Sequence, residues 1–194
     1  MKVNYRTTEE IKRLAVSAVS NLNYDDFDGE EERKNGYILL THGEKPVYQI
    51  FNSENDEFSF LKSKIEELVS NERSFSYKDI CIATRLKSTM SDLKKYLHQS
   101  KIPYFDITSG TGNQNGLTLS TFHNTKGLEF KVVFLAGINN KTLPMHPSSF
   151  ETWDRIQQVD FDTMERSLLY VAMTRAIQLL ILTGTGKKSD WIQL

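Results

Sequence analysis

The part of the sequence that offers the most chemistry is the polar segment 121–130, Thr-Phe-His-Asn-Thr-Lys-Gly-Leu-Glu-Phe. It carries hydroxyls, an imidazole, an amine, a glycine and a carboxylate, and it lies between two apolar runs. Hydroxyls and backbone amides suit phosphate contacts, and a carboxylate can accept hydrogen bonds from ribose hydroxyls. The segment is therefore a candidate nucleotide or phosphate loop at a strand end, although a solvated connection could have the same composition.

Two further segments carry arginines that could contact a phosphate. In 165–176, Glu-Arg-Ser-Leu-Leu-Tyr-Val-Ala-Met-Thr-Arg-Ala, helical spacing gives an apolar face and places Arg175 in the last turn, where a cation favours the helix dipole. The planar fork of an arginine suits a phosphate, but a plain C-terminal arginine fits the pattern equally well. In 4–8, Tyr5 and Arg6 would combine a base-stacking ring with a phosphate contact; the alternative is a disordered terminus.

The elements that must position these residues alternate between helices and strands. A capping box formed by Thr7 and Glu10 predicts the start of a first helix, and Ser53 predicts the start of a second. Apolar runs without alternation are typical of strands covered on both faces, and their order predicts a mostly parallel α/β sheet flanked by helices. Ligands of such sheets bind beyond the carboxyl ends of the strands. Helices are predicted over 7–22, 53–69, 90–98 and 161–176, strands over 37–41, 47–51, 80–84, 117–121, 132–136 and 179–183, and loops over 23–36 and 109–116.

Length, charge and cysteine content narrow the class of protein. A chain of 194 residues with 39% hydrophobic and 25% charged residues is typical of one globular domain. The net charge of -1 argues against binding to nucleic acid by bulk charge, so any such contact must be local. Cys81, the single cysteine, lies in an apolar run and is predicted to be buried and structural. Without a membrane span or a signal peptide, we expect a cytoplasmic protein with no membrane partner.

Together, the three polar segments resemble the conserved motifs of superfamily 1 helicases of the UvrD/Rep type, in their second RecA-like domain. Asn-Tyr-Arg-Thr at 4–7 is similar to motif IV, 121–130 to motif V nearly residue for residue, and 165–176 to motif VI, in the family's order. Residues 78–104 also resemble the stretch between motifs IV and V. The resemblance covers essentially the whole chain, 1–194, and implies one RecA-like domain, with a P-loop NTPase-like fold that lacks the P-loop.

The resemblance also implies roles in binding ATP. Tyr5 would stack on the adenine, and Arg6 would contact the γ-phosphate. Gly127 would allow close backbone approach, and Glu129 would reach the ribose. Arg175 would be the second γ-phosphate arginine, acting as a finger across a cleft, a role that is worth roughly 10³–10⁵ in rate.

A second group of residues is implied to contact a single strand of DNA. Thr121 and His123 would face the strand, and Arg85 would contact its phosphates, whereas Lys126 would support the loop. Larger relatives insert a whole subdomain before motif V, and here only the Gly/Asn/Ser-rich loop 109–116 lies there. The resemblance therefore implies DNA contacts but leaves open any function assigned to the insert.

The chain lacks the motifs that would bind the phosphates of ATP and its Mg²⁺. The segment 184–189, Gly-Thr-Gly-Lys-Lys-Ser, departs from the pattern GxxxxGK[ST] because Ile181 and Lys188 occupy required positions, and it is interpreted as a basic tail. An N-terminal RecA-like domain of the same parent protein would hold the Mg²⁺, and ATP would bind between the two halves. The chain alone is therefore predicted not to hydrolyse ATP, and Tyr5 and Arg6 near the start fit a fragment of a longer protein.

Three functions remain open from the sequence. The first is the motor half of an ATP-dependent DNA helicase or translocase. The second, which the short loop 109–116 permits, is a motor domain similar to those of HelD-type ATPases, which remodel RNA polymerase. The third is a non-catalytic scaffold, against which the intact Arg6, Glu129 and Arg175 argue.

Overall fold

The computed structural model describes residues 7–19, 41–70 and 75–193. Within them, seven strands form one sheet in which every neighbouring pair is parallel except one antiparallel pair at the edge. The helices are Glu9–Val19 (α1), Glu54–Val69 (α2), Lys87–Gln99 (α3) and Arg155–Met173 (α4), and the strands are Val47–Phe51 (β1), Ile80–Thr84 (β2), Tyr104–Asp106 (β3), Thr111–Gly112 (β4), Leu117–Thr121 (β5), Phe130–Ala136 (β6) and Ala176–Thr185 (β7). The strand order is β1-β7-β6-β2-β5-β3-β4, with β3 and β4 antiparallel. The predicted α/β fold is confirmed.

Helices cover both faces of this sheet because the central strands are apolar on both sides. Every residue of β2 is buried, including Cys81, whose predicted buried position is confirmed and whose thiol pKa is raised by burial. None of the described helices is both long and apolar enough to span a bilayer. On one face, Ile11, Leu14, Ala15 and Ala18 of α1 and Leu169, Ala172 and Met173 of α4 pack on the sheet; on the other, Phe58, Leu61, Ile65 and Leu68 of α2 and Met90, Leu93 and Leu97 of α3 do so.

The start of α2 confirms a prediction from the sequence. Ser53 is the N-cap, and its hydroxyl accepts a hydrogen bond of 3.2 Å from the backbone N–H of Asp56. The acidic side chains of the first turn lie at the positive end of the helix dipole. α2 is thereby fixed against β1, which immediately precedes it.

The start of α1 does not form the predicted capping box. The Thr7 hydroxyl donates to the carbonyl of Ala176 at 2.6 Å, a contact between residues far apart in sequence. Glu10 turns away from the helix, and its carboxylate accepts from the backbone N–H of Gly43 at 2.9 Å. This hydrogen bond, together with one from His42, lowers the pKa of Glu10 to about 2. The box was wrong because both side chains found tertiary partners that local spacing does not reveal.

Helix α4 begins earlier and ends earlier than the predicted span 161–176. Asp154 and Gln157 form a capping box at its start, in which the Asp154 carboxylate accepts from the Gln157 N–H at 2.9 Å. The helix ends at Met173, with Thr174 as the C-cap. Arg175 therefore lies beyond the last turn rather than within it.

Of the two predicted loops, only 109–116 lies within the described residues. Residues 109–116 are not wholly loop, because β4 lies within them and pairs antiparallel with β3. The predicted strand 37–41 and the predicted loop 23–36 lie outside the described residues, except for Thr41, which is not in a strand.

The inner side of α2 carries a carboxylate that is bound by neutral donors. Glu57 is 1% exposed, and its Oε1 accepts from the backbone N–H of Gly137 at 2.8 Å and from the Thr183 hydroxyl at 2.6 Å. Burial raises the pKa of Glu57 from the ordinary value of 4.5, although both hydrogen bonds oppose the change. The stabilisation that follows is present below pH 4.5 and is lost as the pH rises through the folded-state pKa.

Substituting this glutamate with glutamine is expected to stabilise the chain at neutral and alkaline pH. In Glu57→Gln the side-chain carbonyl still accepts from both donors, whereas the buried charge is gone. Each unit by which the pKa of Glu57 is raised corresponds to about 1.4 kcal/mol of difference in unfolding free energy. Thermal unfolding of the chain at several pH values should show a gain that shrinks as the pH falls. A gain that does not change with pH would contradict the assignment.

Candidate functional site

Segment 122–129 runs from the carboxyl ends of the strands to their amino ends. β5 ends at Thr121 and β6 begins at Phe130, and both strands point the same way, so the chain must return along the face of the sheet between them. Phe122 and Thr125 are fully buried, and the Thr125 hydroxyl donates to the Phe122 carbonyl at 2.7 Å. The residues between and after these two anchors are exposed, except Leu128, which is half-buried. One motif thus presents side chains at both edges.

The predicted site residues consequently separate into two groups. Arg85, Thr121 and His123 lie at the carboxyl ends of β2 and β5, where the sequence predicts ligands. Gly127 and Glu129 precede β6, and Arg175 precedes β7, so these residues lie at the amino ends of the strands. The general expectation that ligands bind beyond the carboxyl ends therefore describes only the first group. We call the two locations the carboxyl edge and the amino edge.

Arg175 is the central side chain of the amino edge. Its Nε donates to the carbonyl of Val171 at 3.0 Å, its Nη1 to the carbonyl of Leu128 at 3.3 Å, and its Nη2 to the hydroxyl of Thr174 at 3.2 Å. Its own carbonyl accepts from the backbone N–H of Phe130 at 3.0 Å. Arg175 therefore joins the end of α4 to the segment that precedes β6.

The charge of Arg175 is not neutralised by any carboxylate in the described ranges 7–19, 41–70 and 75–193. Its three acceptors are two carbonyls and a hydroxyl, which include the carbonyl end of α4, where a cation is favourable. One N–H remains on each terminal nitrogen, and the side chain is only partly buried. The geometry suits an arginine that is fixed in place and can still bind a phosphate.

The remaining residues of the amino edge lie beside this arginine. Gly127 has a φ of +81°, a left-handed conformation that favours glycine, and no atom lies within 4 Å of the position that a Cβ would occupy. Its backbone is therefore open to close approach. Glu129, two residues on, is exposed. Tyr5 and Arg6 lie outside the described residues, but Thr7, which follows them, is bonded to Ala176, next to Arg175.

The carboxyl edge combines exposed and buried groups. Thr84 of β2 and Thr121 of β5 are paired in register, so Arg85 and the turn at 122–125 emerge side by side. His123 is exposed on this turn, and Thr121 is half-buried at its base. Arg85, by contrast, is mostly buried and is bound to a carboxylate.

This carboxylate belongs to Glu165 of α4, which was not among the site residues predicted from the sequence. Arg85 donates from Nε at 3.0 Å and from Nη2 at 2.5 Å to the two carboxylate oxygens, and the side chains of Arg85 and Glu165 are 11% and 2% exposed. The signal in the sequence was a glutamate on the side of the helix that faces the core of the protein. Its partner, 80 residues away, could not be inferred from spacing.

Segment 184–189, which only superficially resembles a phosphate loop, is buried at both ends and exposed at 186–188, so it is not a free basic tail. Gly184 lies in β7, and Ser189 is 1% exposed, with its hydroxyl donating to the Leu143 carbonyl at 2.6 Å. The Lys188 ammonium lies 5.1 Å from the centre of the Tyr48 ring. Among the residues that the structure describes, no group of three or more His, Cys, Asp or Glu side chains could hold a metal ion.

Comparison with known proteins agrees with the motifs. The sequence model of the UvrD-like helicase C-terminal domain family matches residues 1–113 and 106–187. The chain is 33% identical over 146 residues to DNA helicase II of Salmonella typhimurium (strain LT2), covering 75% of the chain and 18% of that protein. It is 41% identical over 71 residues to the ATP-dependent DNA helicase PcrA of Staphylococcus epidermidis, covering 37% of the chain and 9% of that protein.

A solved structure agrees with the fold. The C-terminal domain of a possible DNA helicase from Lactobacillus plantarum WCFS1 has a TM-score of 0.67 to this chain at 18% identity, covering 97% of this chain and 92% of that one. The aligned part of the chain spans less than a fifth of either relative named above, at 18% and 9%. The chain therefore belongs to the UvrD-like helicase C-terminal domain family and has its RecA-like α/β fold.

Proposed function

We propose that the chain is the second motor half of an ATP-dependent DNA helicase or translocase. The observation that carries the proposal is the geometry of Arg175, a fixed arginine without a carboxylate partner in the described residues, beside the exposed Gly127 and Glu129. An enzyme that hydrolyses ATP needs such a cation where charge develops on the transferred phosphoryl group. Family membership and the DNA helicases among the relatives support the same conclusion.

The amino edge fits the polyphosphate of a nucleotide bound against a second domain. Arg175 would donate its remaining N–H groups to the γ-phosphate, and Arg6, just before the anchored Thr7, would add a second cation. Glu129 would accept from the ribose, and Tyr5 would stack on the base. ATP with Mg²⁺, held by the N-terminal half of the parent protein, supplies the phosphoryl chemistry when bound.

The carboxyl edge would contact single-stranded DNA. The exposed His123 and the half-buried Thr121 lie beside Arg85 at the ends of adjacent strands. A few local groups of this kind are consistent with the nearly neutral net charge of -1, because they require no broad basic surface. Binding through so few phosphate contacts is expected to be weak in the isolated chain and sensitive to salt.

The experiment that tests the proposal is an ATPase assay of the complete parent protein with and without single-stranded DNA, alongside the isolated chain. We expect hydrolysis by the parent that DNA stimulates, and none above background by the chain alone, because the Mg²⁺-binding half is provided by the parent. Turnover by the pure chain, or a parent protein that hydrolyses no ATP, would contradict the proposal. Hydrolysis without DNA stimulation, together with binding of RNA polymerase, would favour a remodelling ATPase instead.

A further inference from the structure

The ion pair between Arg85 and Glu165 joins the carboxyl end of β2 to α4. It is mostly buried, with the two side chains 11% and 2% exposed. Both carboxylate oxygens are used, in a two-pronged arrangement that fixes the plane of the guanidinium as well as its position. Glu165 Oε2 also lies 3.4 Å from the backbone nitrogen of Met145, which donates to it from the loop after β6. One carboxylate therefore holds β2, α4 and this loop together.

Glu165 occupies only two of the three nitrogens of the Arg85 guanidinium. Within the described residues, Nε and Nη2 of Arg85 bind Glu165, and Nη1 has no hydrogen-bond partner. No side-chain nitrogen or oxygen of the described part of the chain is both fully buried and without a partner, so Nη1 is not fully buried. It opens at the carboxyl edge, where β2 ends next to the turn that carries His123.

A free arginine side chain on a surface samples many rotamers, and binding a phosphate would cost it that freedom. Glu165 removes most of this cost in advance because it fixes Nε and Nη2. The same carboxylate also partly neutralises the charge of Arg85, which weakens long-range attraction for an anion. Positioning and charge thus have opposite effects on binding, so a measurement can separate them.

We propose that Glu165 is a positioning residue that presents the Nη1 edge of Arg85 to a phosphate of single-stranded DNA. The proposal rests on the proposed function, since it assumes that the carboxyl edge binds DNA. It goes further in assigning a role to Glu165, the first residue of the polar segment 165–176, and in making the affinity for DNA depend on a buried acid. If only net charge mattered, removing this acid would strengthen binding to DNA. If positioning matters more, its removal weakens binding.

The test measures the affinity of the complete parent protein for fluorescein-labelled oligothymidylate by anisotropy, over a range of salt concentrations. We expect Glu165→Gln to weaken binding roughly 5- to 10-fold, even though the variant is more positive by one charge. Arg85→Gln should weaken binding at least as much and should lower the salt slope by about 0.7, the value for one phosphate contact with a single strand. In the Arg85→Gln background, Glu165→Gln should have no further effect, because it acts through Arg85.

Glu57→Gln is the matched control, because it too neutralises a buried glutamate, but one bound by neutral donors on the opposite face of the sheet. It should leave the affinity for oligothymidylate unchanged. If Glu165→Gln does not fold, Glu165→Asp, which keeps the charge and shortens the side chain, should weaken binding in the same direction. Unchanged or tighter binding by a folded Glu165 variant, or additive losses in the double variant, would overturn the proposal. Wild-type protein that fails to bind would instead refute the proposed function.

Discussion

Replacing Arg175 with alanine in the complete parent protein is expected to abolish DNA-stimulated ATP hydrolysis, with a loss of roughly 10³- to 10⁵-fold in kcat. The physical reason is that the guanidinium is already held in place by the carbonyls of Val171 and Leu128 and by the hydroxyl of Thr174. A fixed cation needs no reorganisation when negative charge develops on the phosphoryl group, so its contribution to the transition state is large. The measurement is steady-state ATPase activity at saturating single-stranded DNA.

Two variants sharpen this result. Arg155→Ala removes an exposed arginine from the opposite end of the same helix and should leave kcat within a few-fold of wild type. Arg175→Lys keeps the charge but not the fork, and an intermediate rate is expected because a lysine cannot reproduce the three anchoring hydrogen bonds. If Arg175→Ala folds and retains wild-type kcat, Arg175 is a structural cap of α4 and the amino edge is not a nucleotide site.

The second large effect is on stability and is expected from Gly184→Ala. A Cβ at position 184 would lie 1.7 Å from the carbonyl oxygen of Ile138, a backbone atom that cannot move aside as a side chain could. The two segments are also joined there, because the N–H of Ile138 donates to the Thr183 carbonyl at 2.7 Å. We expect a loss of about 4 kcal/mol or more in unfolding free energy, or failure to fold. For a chain of this length, such a loss lowers Tm by roughly 10 °C or more.

Gly186→Ala is the matched control, two positions along the same segment. A Cβ at position 186 would meet no atom within 4 Å, and the only cost is the φ of +81°. That strain is worth about 1–2 kcal/mol. Thermal unfolding of the two variants should therefore differ clearly, and equal losses would show that the contact with Ile138 is not what makes glycine necessary at position 184.

The sequence predicted best those features that depend on local apolar pattern. The strands β1, β2 and β5 were predicted with their observed bounds, because each is a short run rich in apolar or β-branched residues. Ser53 was correctly predicted as a helix cap because its hydrogen-bond partner lies only three residues away. Family resemblance then identified the motifs, which spacing alone left ambiguous.

Several features that the sequence did not predict depend on contacts between distant residues. Thr7 binds Ala176, 169 residues away, instead of capping α1. Arg85, which the family resemblance implies to contact DNA phosphates, binds Glu165, 80 residues away, and is mostly buried. The separation of the site into two edges follows from the return path of 122–129, which becomes apparent only when β5 and β6 are known to be parallel.

The path of segment 122–129 also has a mechanical consequence. This segment and α4 both run between the two edges on the same face of the sheet, and each is anchored at several points, by Phe122 and Thr125 and by Glu165 and Arg175. Because both elements connect the same two edges, segment 122–129 and α4 would resist bending of the domain between these edges. Arg175 and the carboxyl edge would then move together as one rigid body. In the proposed motor, the energy of ATP hydrolysis would therefore rotate the whole domain relative to the neighbouring domain, with little bending inside it.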